Sequence, residues 1–468
     1  MGDEAAAGAE CNLNAGDTAF MMFAATVVMM QTPAMGMAQA GMIRRKNSLS
    51  MLMQVLFGMV IGSLLWATIG FSLSFGPSKR GGLVGDPLHF FALRNVPVAD
   101  CLPELADSIP GALFCAFHMM FALMAPLVVT GSWAEKMTFE AFLVFVFLWP
   151  IFVYYPMVHW VWSPEGWLAE LGVTDFAGGI VIHANVGVAG FVVSILLQRR
   201  KLHQGALAHH NLPLSFAGAA LVWSGWYSFN GGSALKANYQ AAGALLNTHL
   251  SACSGGLIWS LWNYRDTKMW SMMECVNGAF AGLGGITAAS GFVEPWAAMI
   301  IGMITSTASF FSVKFFRDYL NLDDVLGVTS LQGTSGVVGS LLVGLFCTES
   351  VVPGGHQNGL FYGGGFDLLW AQCLGSAVVI AWSGTWSYAI LIFMKNTVGI
   401  DISYDVEAKG LDLAQMGEQA YDQKLDLLDD IGGEAVISLL NAACSGGDVD
   451  DVQALIEMQG ATHPRAYL

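Results

Sequence analysis

Apolar residues fill this chain in blocks of about twenty, separated by short polar connectors, from about residue 18 to about residue 394. A helix needs roughly 20 such residues to cross a bilayer. Eleven blocks are read: 18–40, 51–75, 111–131, 139–162, 177–198, 212–232, 240–262, 273–291, 295–316, 325–346 and 367–394. A large soluble enzyme with buried helices would need polar helix faces, and these blocks lack them. The pattern predicts an all-α polytopic membrane protein. Lys and Arg set its orientation. With the N-terminus outside, inner connectors hold eleven: Arg44, Arg45, Lys46, Lys136, Arg199, Arg200, Lys201, Arg265, Lys268, Lys314 and Arg317. Outer connectors hold four: Lys79, Arg80, Arg94 and Lys236. An odd number of spans puts the C-terminus in the cytoplasm.

Composition agrees. Mean hydropathy is +0.56 and 12% of residues are charged, against roughly 25% in soluble domains. Many of the 55 glycines are expected at helix contacts, where small residues let membrane helices approach closely. Net charge is −16, and from Lys395 onward 14 acids face 4 bases, which argues against a nucleic-acid partner. The eight cysteines show no metal spacing and no CxxC, so no metal or cofactor is expected. Cys115, Cys253, Cys275 and Cys373 fall in or near apolar blocks and read as small core residues. Cys11 and Cys101 both fall on the outer side, leaving open a disulfide between them or between subunits. MGDEAAAGAE lacks a basic n-region, so no signal peptide is expected.

The chain carries an internal echo. The fifth block holds Asp175, His183, Gly187 and Gly190; the tenth holds Asp324, Gln332, Gly336 and Gly339. The offsets from the acid are 8, 12 and 15 in both. Five spans separate them, so they run with opposite topology. Inverted five-helix repeats of this kind build transporters, with the substrate path at the midplane.

Ionisable groups inside a membrane mark functional sites. Asp175 lies at the outer end of its helix, where an acid caps free backbone N–H groups and suits the helix dipole. His183 lies two turns deeper. Burial disfavours its charged form, and a neutral imidazole donates one hydrogen bond and accepts another, which suits a polar, uncharged permeant. Phe121 (in FHMMFA), Trp162 (in HWVWSPEGW), and Trp226 and Phe229 (in SGWYSFNGGS) ring the outer half, where π faces can hold a small cation. Ser233 adds a hydroxyl acceptor. Trp160 and Trp167 read as aromatic belt.

These segments resemble the ammonium transporter family (Amt/Mep/Rhesus). The likeness runs from NAGDTAF at residue 14 to GLDLAQMGEQAY at 410–421, through TPAMGMAQAGMIRRKNSLSMLMQ, DFAGGIVIH, HNLPLSFAG and GWYSFNGGSA. It implies a homotrimer in the plasma membrane, each subunit with eleven helices and a narrow pore for ammonium or ammonia. It also implies an ammonium recruitment site of Phe121, Trp162 and Ser233, a gate of stacked Phe121 and Phe229, Asp175 as the structural acid, and His183 as the first pore histidine. The family's tenth helix reads like DDxxDVFGVHGVGG; here DDVLGVTSLQGTSG puts Gln332 at the second histidine and Thr329 at the preceding phenylalanine. The aromatic residues of TPGLALFYGG give way to Met and Ala in TPAMGMAQAG, and the tail histidine becomes Met416. A glutamine cannot carry a proton, so the His183–Gln332 pair keeps a polar lining and loses a relay.

The chain divides into an extracellular N-terminus (1–17), the transmembrane ammonium-transporter domain (18–394), a cytoplasmic tail (395–431) and a last segment (432–468). ISLLNAACSGGDVDDVQALIEMQGA in that segment resembles an ankyrin-like start, although one repeat cannot bury its own face. An acidic helix is the simpler alternative. With the altered pore, such a tail raises a second reading: an ammonium sensor signalling to a cytoplasmic partner. No nucleophile triad, phosphate loop or metal cluster points to an enzyme.

Overall fold

The computed structural model describes residues 10–79, 81–200, 209–352 and 357–421. The ankyrin-like segment lies outside them. Among the described residues eleven long helices follow in order: α1 (Ala15–Met42), α2 (48–75), α3 (Gly111–Trp133), α4 (139–162), α5 (Gly179–Leu196), α6 (Leu212–Gly232), α7 (Tyr239–Thr267), α8 (Met272–Ile286), α9 (Pro295–Asp318), α10 (Thr329–Phe346) and α11 (Asp367–Thr397). Eight of them, all but α6, α7 and α8, are long and apolar enough to cross a membrane. Helix α8 has only 15 residues, and α7 carries Asn247, Thr248 and Ser251 buried along its length.

Local chemistry fixes the helix starts. Side chains of Asn14, Thr138, Asn211, Asn238 and Ser271 accept N–H bonds from the first turns of α1, α4, α6, α7 and α8. Helix α2 takes its cap from far along the chain. The Asp412 carboxylate accepts from Leu49 N at 3.0 Å and Ser50 N at 2.7 Å. This docks the segment after α11 against the base of α2, where Lys46 Nζ also donates to the Ala408 carbonyl at 3.1 Å.

Helices α1 and α6 cross through small residues. A Cβ on Gly218 would strike the backbone of Ala38, and one on Gly225 would lie 2.7 Å from Gln31 Cβ. The same device joins α5 and α10. A Cβ on Gly187 would strike the Gly333 backbone, and one on Gly336 would lie 2.6 Å from Ala184 N. Dispersion between closely packed backbones replaces the hydrophobic drive that lipid removes.

The two ends of the bundle differ. At one end Cys11 and Cys101 form a disulfide, and β1 (Ser78–Lys79) pairs antiparallel with β2 (Val84–Gly85). There Trp160, read as belt, is buried instead and donates to the Leu83 carbonyl at 2.8 Å, tying the hairpin down. At the other end Glu135 is buried and accepts from Arg44 N at 2.9 Å, Arg44 Nε at 3.0 Å and Asn47 Nδ2 at 2.8 Å. Arg200 reaches Glu135 at 3.4 Å and Asp323 at 2.7 Å. Burial pushes the Glu135 carboxyl up, and Arg44 and Arg200 outweigh it and hold the group below the usual glutamate range.

Three expectations follow. Glu135→Ala takes the shared carboxylate from two buried guanidinium groups, leaving Arg200 with Asp323 and Arg44 with the more distant Glu407, and is expected to cost about 3–5 kcal/mol, read as a lower melting temperature in detergent. A carboxylate held low contributes its stability above the ordinary glutamate pKa of about 4.3 and loses it as pH falls through its folded value. The melting difference between native protein and Glu135→Ala should therefore shrink as pH drops below about 4. Gly187→Ala, which wedges a methyl between α5 and α10, is expected to cost about 1–3 kcal/mol in the same melting assay.

Candidate functional site

Two helix openings set the geometry. Asp175 sits four residues before α5, and its carboxylate accepts four backbone N–H groups: Gly178 at 2.8 Å, Gly179 and Ile180 at 2.7 Å, and Val181 at 3.0 Å. Gly178 adopts φ +113°, a left-handed turn that favours glycine and lets the chain enter the helix directly. Asp324 does the same for α10, accepting from Val328 N at 3.2 Å and Thr329 N at 2.7 Å. Both helices then open with one widened, π-helical turn, Gly179–Ala184 and Thr329–Thr334. Such turns recur at functional sites, and here each carries the polar residue read from the sequence.

The structure brings those residues together. His183 Nδ1 lies 2.6 Å from Gln332 Oε1, with both side chains buried. An amide oxygen only accepts, so Nδ1 donates, and in a neutral ring Nε2 is then the nitrogen with the free lone pair. Nε2 is buried and has no hydrogen-bond partner among the described residues. The ring stacks on Trp226 at 5.1 Å between centroids and 21° between planes. Trp226 is held by a 3.0 Å bond from Nε1 to Thr287 Oγ1 of the segment after α8.

Towards the disulfide-bearing end, Phe121 and Phe229 stack face to face at 3.9 Å and 12°. Both are fully buried, so the pair closes the way to His183, whose ring lies 6.3 Å from Phe229. Trp162 stands beyond it, 6.0 Å from Phe121 and nearly perpendicular. Its Nε1 donates to the Asp175 carbonyl at 2.9 Å, which links the aromatic group to the capping acid. Ser233 Oγ donates to the Phe229 carbonyl at 2.9 Å and keeps its lone pairs free to accept.

Other positions refine the sequence reading. Position by position, the aromatic pair of TPGLALFYGG falls on Ala38 and Gln39, so the second replacement is a glutamine and not a methionine. Gln39 is buried and accepts from Thr130 Oγ1 at 3.0 Å. The Thr329 hydroxyl is buried beside the Asp324 carboxylate, which already accepts from the Thr329 backbone N–H. Met416 ends a turn at Asp412–Met416, away from the pore helices. One residue at the site escaped the sequence analysis: His118, which lies 5.6 Å from Trp162 and 5.7 Å from Phe121 between ring centroids. The signal was its i, i+3 spacing to Phe121, which puts both on one helix face.

Residues 18–421 match the model of the Ammonium Transporter Family. The chain is 39% identical over 410 residues to ammonium transporter 1 of Dictyostelium discoideum, covering 87% of each. It is 38% identical to the ammonium transporter of Bacillus subtilis, covering 88% of this chain and 99% of that one. The crystal structure of Saccharomyces cerevisiae Mep2 superposes with a TM-score of 0.77 at 30% identity, over 84% of this chain and 91% of that one. A solved structure described as a sensor Amt protein superposes at 0.77 with 27% identity, over 86% and 98%. This chain belongs to the ammonium transporter family, a family of membrane channels and transporters and not of enzymes.

Proposed function

We propose that this protein passes ammonium or ammonia across the plasma membrane through a narrow apolar pore in each subunit of a homotrimer, with a proton route that differs from a histidine pair. In this reading eleven helices span the membrane, with residues 1–17 outside and the tail from 395 in the cytoplasm. The observation that carries it is the buried 2.6 Å bond between His183 and Gln332, set between two acid-anchored helices and closed off by the Phe121–Phe229 stack.

The contacts of α5 and α10 support an inverted repeat. Gly187 meets Gly333 and Gly336 meets Ala184; each glycine lies 12 residues past its acid, and each partner 9. The two helices present the same offsets to each other, as a two-fold axis between them requires.

In this mechanism ammonium sheds water against the faces of Trp162 and Phe121, with Ser233 accepting one N–H. Cation–π contact offsets about 0.5–2 kcal/mol of the desolvation. Asp175 acts as the structural acid that holds the Trp162 edge and the α5 opening. Ammonium gives its proton to water at the outer mouth, the ammonia left slips past the phenylalanine pair, and His183 Nε2 accepts a hydrogen bond from it. Gln332 fixes the His183 tautomer. It cannot take up a proton, so the proton left by ammonium does not run through this pair.

A second reading, an ammonium sensor signalling to a cytoplasmic partner, draws on two observations: the docking of Asp412 on α2 and the likeness to a protein described as a sensor Amt. Ammonium-evoked current and uptake in liposomes separate the two, since a receptor would bind without either.

The reading makes two expectations. Gln332→His restores a pair that can share a proton, so its ammonium current on a supported membrane should differ from the native in size or in pH dependence. Identical currents and pH profiles would remove Gln332 from the proton route. Asp175→Asn replaces one accepting oxygen by a donor amide facing backbone N–H groups. It is expected to cost about 1–3 kcal/mol of stability and to lower uptake, measured by melting and by flux in the same liposomes.

A further inference from the structure

We infer that His118 is a binding residue of the outer ammonium site, supplying the nitrogen lone pair that orients the cation before it reaches the phenylalanine gate. The inference rests on the transport reading above and adds a residue that neither the family motifs nor the relatives' names assign.

His118 stands on α3 one turn before Phe121. Its ring is surrounded by five others: Phe114 at 4.5 Å, Phe75 at 4.8 Å, Trp162 at 5.6 Å, and Phe117 and Phe121 at 5.7 Å between centroids. Two of these, Trp162 and Phe121, are the rings read as the recruitment site. The imidazole is partly buried, and no hydrogen bond or ion pair engages either nitrogen among the described residues. By contrast, His159, also enclosed near this end, is satisfied at both nitrogens, by the Ser74 carbonyl at 3.0 Å and Ser78 Oγ at 2.8 Å.

The nitrogens of His118 are not among the sealed polar atoms of the bundle, so they stand open to a ligand entering from this end. An imidazole left free beside two aromatic site residues is suited to a ligand that brings its own donors. Ammonium brings four N–H groups. The aromatic faces attract its charge without fixing its orientation, and Ser233 Oγ takes one N–H. A neutral imidazole offers one directional sp² lone pair for another. That lone pair also favours an N–H donor over a bare alkali cation of equal charge, which prefers oxygen ligands. His118 would therefore raise selectivity for ammonium at the step before dehydration is complete.

The test uses full-length protein in nanodiscs and liposomes, with ammonium chloride as the probe. Half-saturation is read from binding by calorimetry and from uptake. His118→Leu keeps an apolar volume without an acceptor and is expected to raise the half-saturating ammonium concentration about tenfold, the worth of one hydrogen bond to a charged group. His118→Gln keeps an acceptor and is expected to stay within about twofold of native. Melting curves establish that both variants are folded. Native-like half-saturation in His118→Leu, with native transport intact, would overturn the role of His118 and leave the transport reading standing. Equal impairment of the two folded variants would overturn it as well, because ring shape rather than the lone pair would then matter. Native protein that neither binds nor transports ammonium would overturn both.

Discussion

A helix that begins inside an apolar environment leaves its first N–H groups without water to bind, and the pairing of α5 with α10 depends on how that deficit is met. Asp175 satisfies four such groups and Asp324 two. Each unsatisfied group would cost several kcal/mol in hydrocarbon surroundings, so these acids decide where α5 and α10 start. The start then fixes everything downstream. His183 and Gln332 stand eight residues beyond their acids, in widened turns whose extra residue aims the side chains at each other.

Close approach of the two helices does the rest. Gly187 and Gly336 allow backbone to touch backbone, and only at that separation can an imidazole and a primary amide meet at 2.6 Å. Polarity at the centre of an apolar bundle is tolerated because the two groups bond each other, leaving His183 Nε2 open. The stacked phenylalanines keep bulk water from that nitrogen. Site and fold are thus one arrangement, since the glycines that pack the bundle also set the reach of its polar pair.

Much of this was legible in the sequence because membrane physics restricts the alternatives. The block at 212–232 matches α6 to the residue, and the two segments that carry the Asp–polar–Gly–Gly pattern are helices α5 and α10, which touch. Where the reading missed, long-range contacts decide. Helix α8 ends at Ile286 and not at 291, because the following turns bring the Ala288 carbonyl to Phe176 N at 3.1 Å. The cap on α2 comes from Asp412, 363 residues from Leu49, a distance no local pattern spans. Trp160 looked interfacial by composition, and only the fold of 78–85 over it made it buried. His118 was hidden by its neighbours, since in FHMMF the phenylalanines drew the chemical reading.

The bond between Cys11 and Cys101 bears on where this end of the molecule can live. Thiols on the glutathione side of a membrane are kept reduced, whereas disulfides persist in exterior, luminal or periplasmic space. The cross-link is therefore a chemical argument about sidedness that does not draw on the lysine and arginine count. It also gives the first helix a covalent tether to the loop before α3. Beside this tether, backbone hydrogen bonds from Asn12 to Asp107 and from Asn14 to Ser108, at 2.8 and 2.9 Å, join the chain entering α1 to the same loop, so a covalent bond and two exchangeable ones share one anchorage.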